Sequence, residues 1–411
     1  MKTLITGAGI AGPALGYWLA QAGHDVTIVE RAPALRVGGY AVDIRGVALE
    51  VVARMGLRER LRPLETDTLS NDVVDARGRR FGRTARGFGV IDRGDVEIGR
   101  GDLARVLVDA TRAAVAYRFD DGPAALAQDA GGVDVTFVSG RRARYDLVVG
   151  ADGVHSATRA LAFGPEADFV RPLGSIMGIF SVPNELGLVR EQLLFNALGR
   201  VASVKCAEGD RALKVCVFFA AAPDVIAAFD ARDVAAQRRL VAAAFGDAGW
   251  EFARLVERMA VADDFYCDLT CQVRMPSCVA GRDARVGDAA HCPSPLSGQG
   301  TSLALVGACV LGAELAAIDT GPDAVAAGSD AIASALARYD AAMRPFVALN
   351  QAVALEIGQG FAPSTPRQLW LRNLAMRMLP YMPRRGVVKK LALRGVRRAA
   401  RALELPPPRP A

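Results

Sequence analysis

The chain has 411 residues, enough for two or three domains around a sizeable core. With 51% apolar and 23% charged residues, 42 glycines and 21 prolines, its usage is ordinary globular, which excludes disordered, collagenous and coiled-coil proteins. The net charge of +6 raises the question of nucleic acid, but nine cations and one acid fall between Arg384 and Ala411. The rest of the chain is close to neutral and is not a partner for a phosphate backbone.

The N-terminal thirty residues carry the first signal. Leu4 to Thr6 reads as a short strand, Gly7-Ala8-Gly9-Ile10-Ala11-Gly12 is a G-x-G-x-x-G sequence, and Pro13 to Ala22 has helical periodicity ended by Gly23. Val26 to Val29 is a second strand closed by Glu30. The glycines let the backbone turn and approach a pyrophosphate, the helix N-terminus offers free N–H groups to it, and the acid accepts ribose hydroxyls. This is the opening of a dinucleotide-binding fold, and the same glycines break the apolar run that a signal peptide would need. The segment leaves FAD and NAD(P) open.

Asp146 to Arg159, DLVVGADGVHSATR, reads as a strand running into an Asp152-Gly153 turn, with Ser156 and Arg159 beginning a helix. Ala284 to Ala316 reads as a strand, then Gly287-Asp288, two prolines including Pro295, a Gly298-Gln299-Gly300 turn and a long small-residue helix starting near Thr301. The positive end of that helix points at whatever precedes Gly298 and can stabilise negative charge on a flavin ring. The longest apolar run, Ser302 to Ile318, is too short to span a bilayer and contains Glu314.

Seven cysteines are scattered without a C-x-x-C pair, as expected of reduced thiols in a cytoplasmic protein. The spacing of Cys267, Cys271 and Cys278 matches no zinc pattern, and the chain has three histidines, so no metal site is expected.

Together, and in this order, the three segments resemble the fingerprints of the class A flavin-dependent aromatic hydroxylases, typified by para-hydroxybenzoate hydroxylase. The resemblance covers residues 1 to about 320. It implies that the first motif, with Gly7, Gly9, Ile10, Ala11, Gly12, Glu30 and Arg31, binds the ADP half of FAD. It also implies that Asp152 and Gly153 serve FAD and NAD(P)H, and that Asp288, with Pro295, Gly298 and Gly300, meets the ribityl chain and flavin ring. Arg100, opening a helix in GRGDLARVLV, fits a further family feature. Arg36 to Gly46, RVGGYAVDIRG, is similar to a region of the tetracycline-inactivating monooxygenases and related oxidoreductases. By that analogy Asp43 approaches FAD and Arg36 lies where the nicotinamide docks. The chain departs from the pattern before the third motif, where Cys278 stands in place of the usual tryptophan.

The implied architecture is α/β: a Rossmann-type FAD-binding domain at 1–165, with a short β-rich excursion near 66–95, continued at 281–330. A β-sheet substrate domain at 166–280 is inserted into it, and C-terminal helices occupy 331–411. Strands are expected at Ile176 to Val182, Val201 to Lys205, Leu213 to Ala220 and Phe265 to Gln272. No second G-x-G-x-x-G occurs, so a separate nicotinamide domain is not expected. The implied activity is hydride transfer from NAD(P)H to FAD, reaction with O₂ to a flavin C4a-hydroperoxide, and oxygenation of an aromatic or polyketide-like small molecule. A flavin-dependent reductase without oxygen insertion and a non-turnover flavin-binding scaffold stay open, as do the substrate, the choice of NADPH or NADH, and the oligomeric state. No general base is apparent. His291, in the third motif, is assigned to packing or hydrogen bonding ahead of proton transfer, and Tyr40, Tyr266 and Gln272 are pocket candidates on position alone. The basic C-terminal stretch reads as a solvated helix packed on the body.

Overall fold

Strands that are apolar on both faces need a layer on each side, and the first sheet is built that way. The computed structural model describes the chain except for residues 37, 67, 86–93, 208–210, 319–327, 379–380, 382–392 and 408–411. The first sheet has the spatial order Val279–Ala280, Asp283–Arg285, Leu147–Gly150, Lys2–Thr6, Asp25–Glu30, Val115–Phe119. All its pairings are parallel except the short hairpin at the Val279 edge. Ile5, Ile28, Leu147 and Val149 pack with helices Ala11–Gln21, Arg100–Thr111 and Gly300–Ala316 on one face. Leu4, Val29 and Val148 face Val133, Val135, Phe137 and Tyr145 of a three-stranded antiparallel sheet on the other.

The second sheet has the order Tyr266–Val273, Val170–Pro183, Ala212–Ala220, Arg200–Cys206, Glu191–Ala197, Ser70–Val74, Arg80–Ala85. Its strands between 170 and 273 include all four expected from the sequence. Along Ala212–Ala220 burial alternates: Leu213, Val215, Val217 and Phe219 are buried, and Lys214, Cys216 and Phe218 are half-buried on the opposite face. The buried face is covered by helices Val234–Phe245 and Phe252–Met259. Those helices fall in a region that the sequence reading took as β-rich.

The β-rich excursion expected near 66–95 does form strands, but they pair away from the dinucleotide-binding sheet. Ser70–Val74 lies parallel to Glu191–Ala197 and Arg80–Ala85 closes the edge of the second sheet. A partner more than a hundred residues away leaves no trace in local periodicity. A two-stranded ribbon, Ala41–Ile44 with Val96–Gly99, lies between the segments that supply the two sheets. The C-terminal region is helical at Gly328–Phe361, Pro366–Met378 and Arg394–Ala400. The last of these packs through Val396 and Ala399 on Val353 of the long helix, so that part of the basic stretch is docked on the body. Among the described residues no helix is long and apolar enough to cross a membrane.

Helix Gly300–Ala316 crosses helix Ala11–Gln21 where Gly312 lies under Trp18, and a Cβ added at Gly312 would come within 2.4 Å of the Trp18 Cβ. Alanine at an ordinary mid-helix glycine stabilises by about 1 kcal/mol. Here Gly312→Ala is expected to lower the unfolding free energy, by about 1 to 3 kcal/mol. Urea titration reads the sign, and a gain in stability would show that the two helices can part.

Candidate active site

Strands Lys2–Thr6, Asp25–Glu30, Leu147–Gly150 and Asp283–Arg285 run parallel, so the segments that follow them all emerge at the carboxyl edge of the sheet. These segments are the glycine turn, Glu30, the Asp152 loop and Asp288. The contacts between them are close. A Cβ on Gly7 would lie 2.4 Å from the Ala151 carbonyl oxygen, and one on Gly287 would lie 2.8 Å from the Ala11 Cβ.

Gly7 has φ +102°, a conformation suited to glycine, and a Cβ on Gly12 would sit 2.0 Å from the Gly7 carbonyl oxygen. The helix that begins at Ala11, after Ile10, is thereby set directly on the turn. Glu30 accepts the Ala8 N–H at 2.9 Å and the Ala32 N–H at 3.0 Å, one on each carboxylate oxygen. Arg31 and Arg36 are exposed on the following segment.

Arg100 begins its helix and donates its backbone N–H to the Tyr40 carbonyl at 3.0 Å, while its guanidinium lies 3.4 Å from where a Gly9 Cβ would be. Its charge reaches Asp288, whose carboxyl is pushed up by burial and pulled down by Arg100. A Gly300 Cβ would lie 3.6 Å from Asp288 Oδ1. The structure therefore gathers Gly9, Arg100, Asp288 and Gly300 around one point, with Tyr40 beside them. Burial, reinforced by Asp288, raises the Tyr40 phenol well above its ordinary value, so it is protonated at neutral pH.

Asp152 spends its carboxylate inside its own loop, accepting from the Ser156 hydroxyl at 2.5 Å, the Thr158 N–H at 3.0 Å and the Thr158 hydroxyl at 2.8 Å. Gly153 takes φ +84° at the turn. Arg159 is fully buried and donates to the Ala289 carbonyl at 3.1 Å and the Val154 carbonyl at 2.6 Å, which ties the second motif to the third. Pro295 opens a short 3₁₀ turn that ends at Gly298 in the left-handed region, ahead of helix Gly300–Ala316.

Several residues here went unremarked in the sequence. Arg45 is buried and pairs with Asp43, and its Nη1 donates to the Gly298 carbonyl at 3.4 Å. Burial outweighs that pairing and lifts the Asp43 carboxyl to about 6. Two residues apart on an extended segment, Asp43 and Arg45 share a face, and that periodicity was the available signal. Lys205, from the second sheet, pairs with Glu97 opposite Asp43 on the ribbon. His155 is clamped between Glu166 and Asp268, with 2.9 Å to each, and Asp268 also accepts the Tyr266 hydroxyl at 2.8 Å. These two hydrogen bonds raise the His155 imidazole to about 10.

Two positional guesses are corrected or narrowed. Gln272 is fully buried and donates to the Pro293 and Gln351 carbonyls, so it ties strand to helix and does not line a pocket. His291 is held near 4 by burial and packs beside the Tyr339 ring, which makes it a neutral packing residue. Cys278 is buried, and its thiol lies 3.1 Å from an Asp340 carboxylate oxygen of the long helix. Among the described residues no cluster of side chains suited to a metal ion occurs.

The residues gathered at this edge of the sheet fit a flavin dinucleotide on two observations. At Gly9 an added Cβ would meet a single neighbour, Arg100 Nη2 at 3.4 Å, so the bare turn can be approached there, and among the described residues both ends of the buried Gln299 amide, together with Asp43 Oδ1, have no hydrogen-bond partner. Comparison with known proteins agrees. Residues 1–184 match the FAD binding domain family. A flavin-dependent monooxygenase of an unknown prokaryotic organism is 36% identical over 88% of this chain and 90% of its own. The chain belongs to the class A flavin-dependent monooxygenases. An uncharacterised protein of Mycobacterium tuberculosis (strain ATCC 25618 / H37Rv) is 40% identical over 88% of this chain and 95% of its own. Among solved structures, the tetracycline destructase Tet(55) superposes with a TM-score of 0.82 at 35% identity, covering 99% of this chain and 98% of that one. This monooxygenase therefore shares with its relatives an FAD-binding domain and the mixed α/β architecture around it.

Two outcomes follow from the geometry. Gly12→Val puts a branched side chain onto the Gly7 carbonyl, and the purified protein is expected to be colourless; stoichiometric bound FAD in its absorption spectrum would overturn the placement of the pyrophosphate. His155 has a folded-state value raised from 6.5 to about 10, so its stabilisation is complete below about 6.5 and is lost as pH rises through about 10. The stability difference between the wild type and His155→Phe, measured by denaturant unfolding, should thus be largest at pH 6 and shrink toward pH 10. A difference independent of pH would mean that the imidazole is neutral in its clamp.

Proposed function

We propose that this monooxygenase takes reducing equivalents from NAD(P)H and uses O₂ to oxygenate an aromatic or polyketide-like small molecule in the cleft between the two sheets. The observation that carries this reading is the meeting of Gly9, Arg100, Asp288 and Gly300 beside Tyr40, whose phenol is in turn within electrostatic reach of Cys216 on the half-buried face of the second sheet. Tetracycline, which the name of Tet(55) assigns to that relative, is a polycyclic molecule of the proposed class.

When bound, FAD supplies the redox chemistry: it accepts hydride and, once reduced, activates O₂. The protein's own work is positional. The Gly7 to Gly12 turn and the first-turn N–H groups of helix Ala11–Gln21 hold the pyrophosphate. Glu30 keeps the turn in shape through Ala8 and Ala32, and each of its oxygens retains a lone pair for a ribose hydroxyl. Arg31 flanks the adenosine, and Arg36, exposed beyond it, is the docking cation for the nicotinamide dinucleotide. The Asp152-Gly153 loop, held closed by Ser156 and Thr158, supports both dinucleotides. Asp288 takes the ribityl hydroxyls, with Arg100 balancing its charge.

The segment from Pro295 through Gly298 to Gly300 brings the N-terminus of helix Gly300–Ala316 to the ring, where a helix end stabilises nearby negative charge by roughly 0.3 to 2 kcal/mol. Tyr40 and Tyr266, both kept protonated, can donate hydrogen bonds but do not serve as bases. Phe218, on the same face of its strand as Cys216, meets Phe361 edge-on at 4.9 Å, and that apolar pair would limit water on the substrate side.

The deciding experiment is oxygen uptake by purified protein with NADPH, with and without a panel of phenols, quinones, tetracyclines and polyketide aromatics. Uptake stimulated by one compound, with a product heavier by one oxygen, is expected. Fast anaerobic flavin reduction with no uptake for any compound would overturn oxygenation in favour of a reductase. Asp288→Ala should weaken FAD binding about tenfold or more, as loss of a hydrogen-bonded charge does; an unchanged dissociation constant in fluorescence titration would remove Asp288 from the ribityl contact.

A further inference from the structure

The ribbon strand Ala41–Ile44 is followed by a cation that the fold buries almost completely: Arg45 is 3% exposed. Its guanidinium binds the Asp43 carboxylate, lies 3.6 Å from the Asp95 carboxylate, and donates to the Gly298 carbonyl at 3.4 Å. Its backbone N–H donates to the Ser302 hydroxyl at 3.1 Å, in the first turn of helix Gly300–Ala316. One residue thus joins the ribbon to the turn and to the helix that starts there, through both its main chain and its side chain. The fit is tight, since a Cβ on Gly298 would lie 3.0 Å from Arg45 Nη1.

The surroundings keep that arrangement single. Gly298 is left-handed at φ +61°, which fixes the direction of its carbonyl, and Gln299 next to it has, among the described residues, no hydrogen-bond partner at either end of its buried amide. Glu97, across the ribbon from Asp43, would compete for the guanidinium. It is instead taken by Lys205 of the second sheet and by the Thr66 hydroxyl at 2.7 Å. A guanidinium buried at such a junction is retained only with its partners, because removing it strands a carboxylate and a carbonyl in low dielectric.

We propose that Arg45 is a positioning residue for the flavin: acting through Asp43 and the Gly298 carbonyl, it fixes the turn and helix N-terminus that face the ring and offsets the carboxylate charge beside it. The proposal rests on the placement of the flavin against this turn given above. Without the guanidinium the neighbourhood loses a fixed positive charge and the turn loses its anchor, so the reduced, more negative flavin is the form most disfavoured.

The test uses the full-length holoenzyme and the variants Arg45→Met and Arg45→Lys. Arg45→Met is expected to raise the FAD dissociation constant about tenfold or more, to shift the visible flavin spectrum, and to make the two-electron midpoint potential more negative. Arg45→Lys keeps the charge without the planar fork that serves two partners at once. It should restore most of the potential while FAD stays at least threefold weaker than in the wild type. Should Arg45→Met fail to fold, the lysine variant decides alone. Wild-type affinity, spectrum and potential in the folded variants, with thermal stability the one property lost, would overturn the proposal and reduce Arg45 to a structural residue. A wild-type protein that binds FAD while Asp288→Ala and Gly12→Val both bind it equally well would instead sink the site placement itself, so the two failures are distinguishable.

Discussion

Between Gly12 and the carbonyl of Gly7 there is no room for a carbon atom, and much of the molecule is arranged around that approach. It lets the first helix begin immediately above the first strand, with its unsatisfied N–H groups at the sheet's carboxyl edge. The parallel pairing of Leu147–Gly150 and Asp283–Arg285 with that strand brings two further segments, distant in sequence, to the same edge. The long helix Gly300–Ala316 then seats on the first through Gly312 and Trp18. Small residues at the points of closest approach are the condition for all of this, and they are why a glycine-rich stretch organises the fold.

The cross-links between these segments are buried or half-buried cations bound to backbone carbonyls and carboxylates. Arg159 joins the second motif to the third through Ala289, Arg45 joins the ribbon to Gly298, and His155 joins the Asp152 loop to Asp268 on the second sheet. Each is expensive to desolvate and each has partners from a different segment, so the native arrangement is favoured over others in which a charge would lie unpaired. The site is consequently rigid where the motifs meet.

The parts legible in the sequence were those with local causes. The glycine turn, Glu30, the Asp152-Gly153 turn and the Gly298 to Gly300 segment follow from rules that act within a few residues, and four strands of the second sheet could be read from alternation. What could not be read depends on distant partners. Ser70–Val74 looks like any short strand until Glu191–Ala197 lies beside it. Gln272 has the composition of a pocket residue, but its amide reaches the carbonyls of Pro293 and Gln351. The helices Val234–Phe245 and Phe252–Met259 were hidden because their apolar residues, such as Val241, Phe245 and Phe252, serve a sheet whose position the local sequence does not specify.

The order of the chain through the two sheets has a consequence for biosynthesis. The chain enters the second sheet at Ser70, leaves after Ala85, returns at Val170 and departs after Val273, while the first sheet gains a further parallel strand only with Asp283–Arg285. The second sheet cannot be completed on the ribosome until about residue 273 has emerged, nor the first until about residue 285. Until then Leu147–Gly150 lacks one neighbour, and until about residue 259 the strands around 191–220 lack their covering helices, so nascent chains expose unpaired edges for much of synthesis. For the same reason the two bodies cannot be cut apart at a single peptide bond and expressed separately, since the backbone that sews them together passes between them more than once.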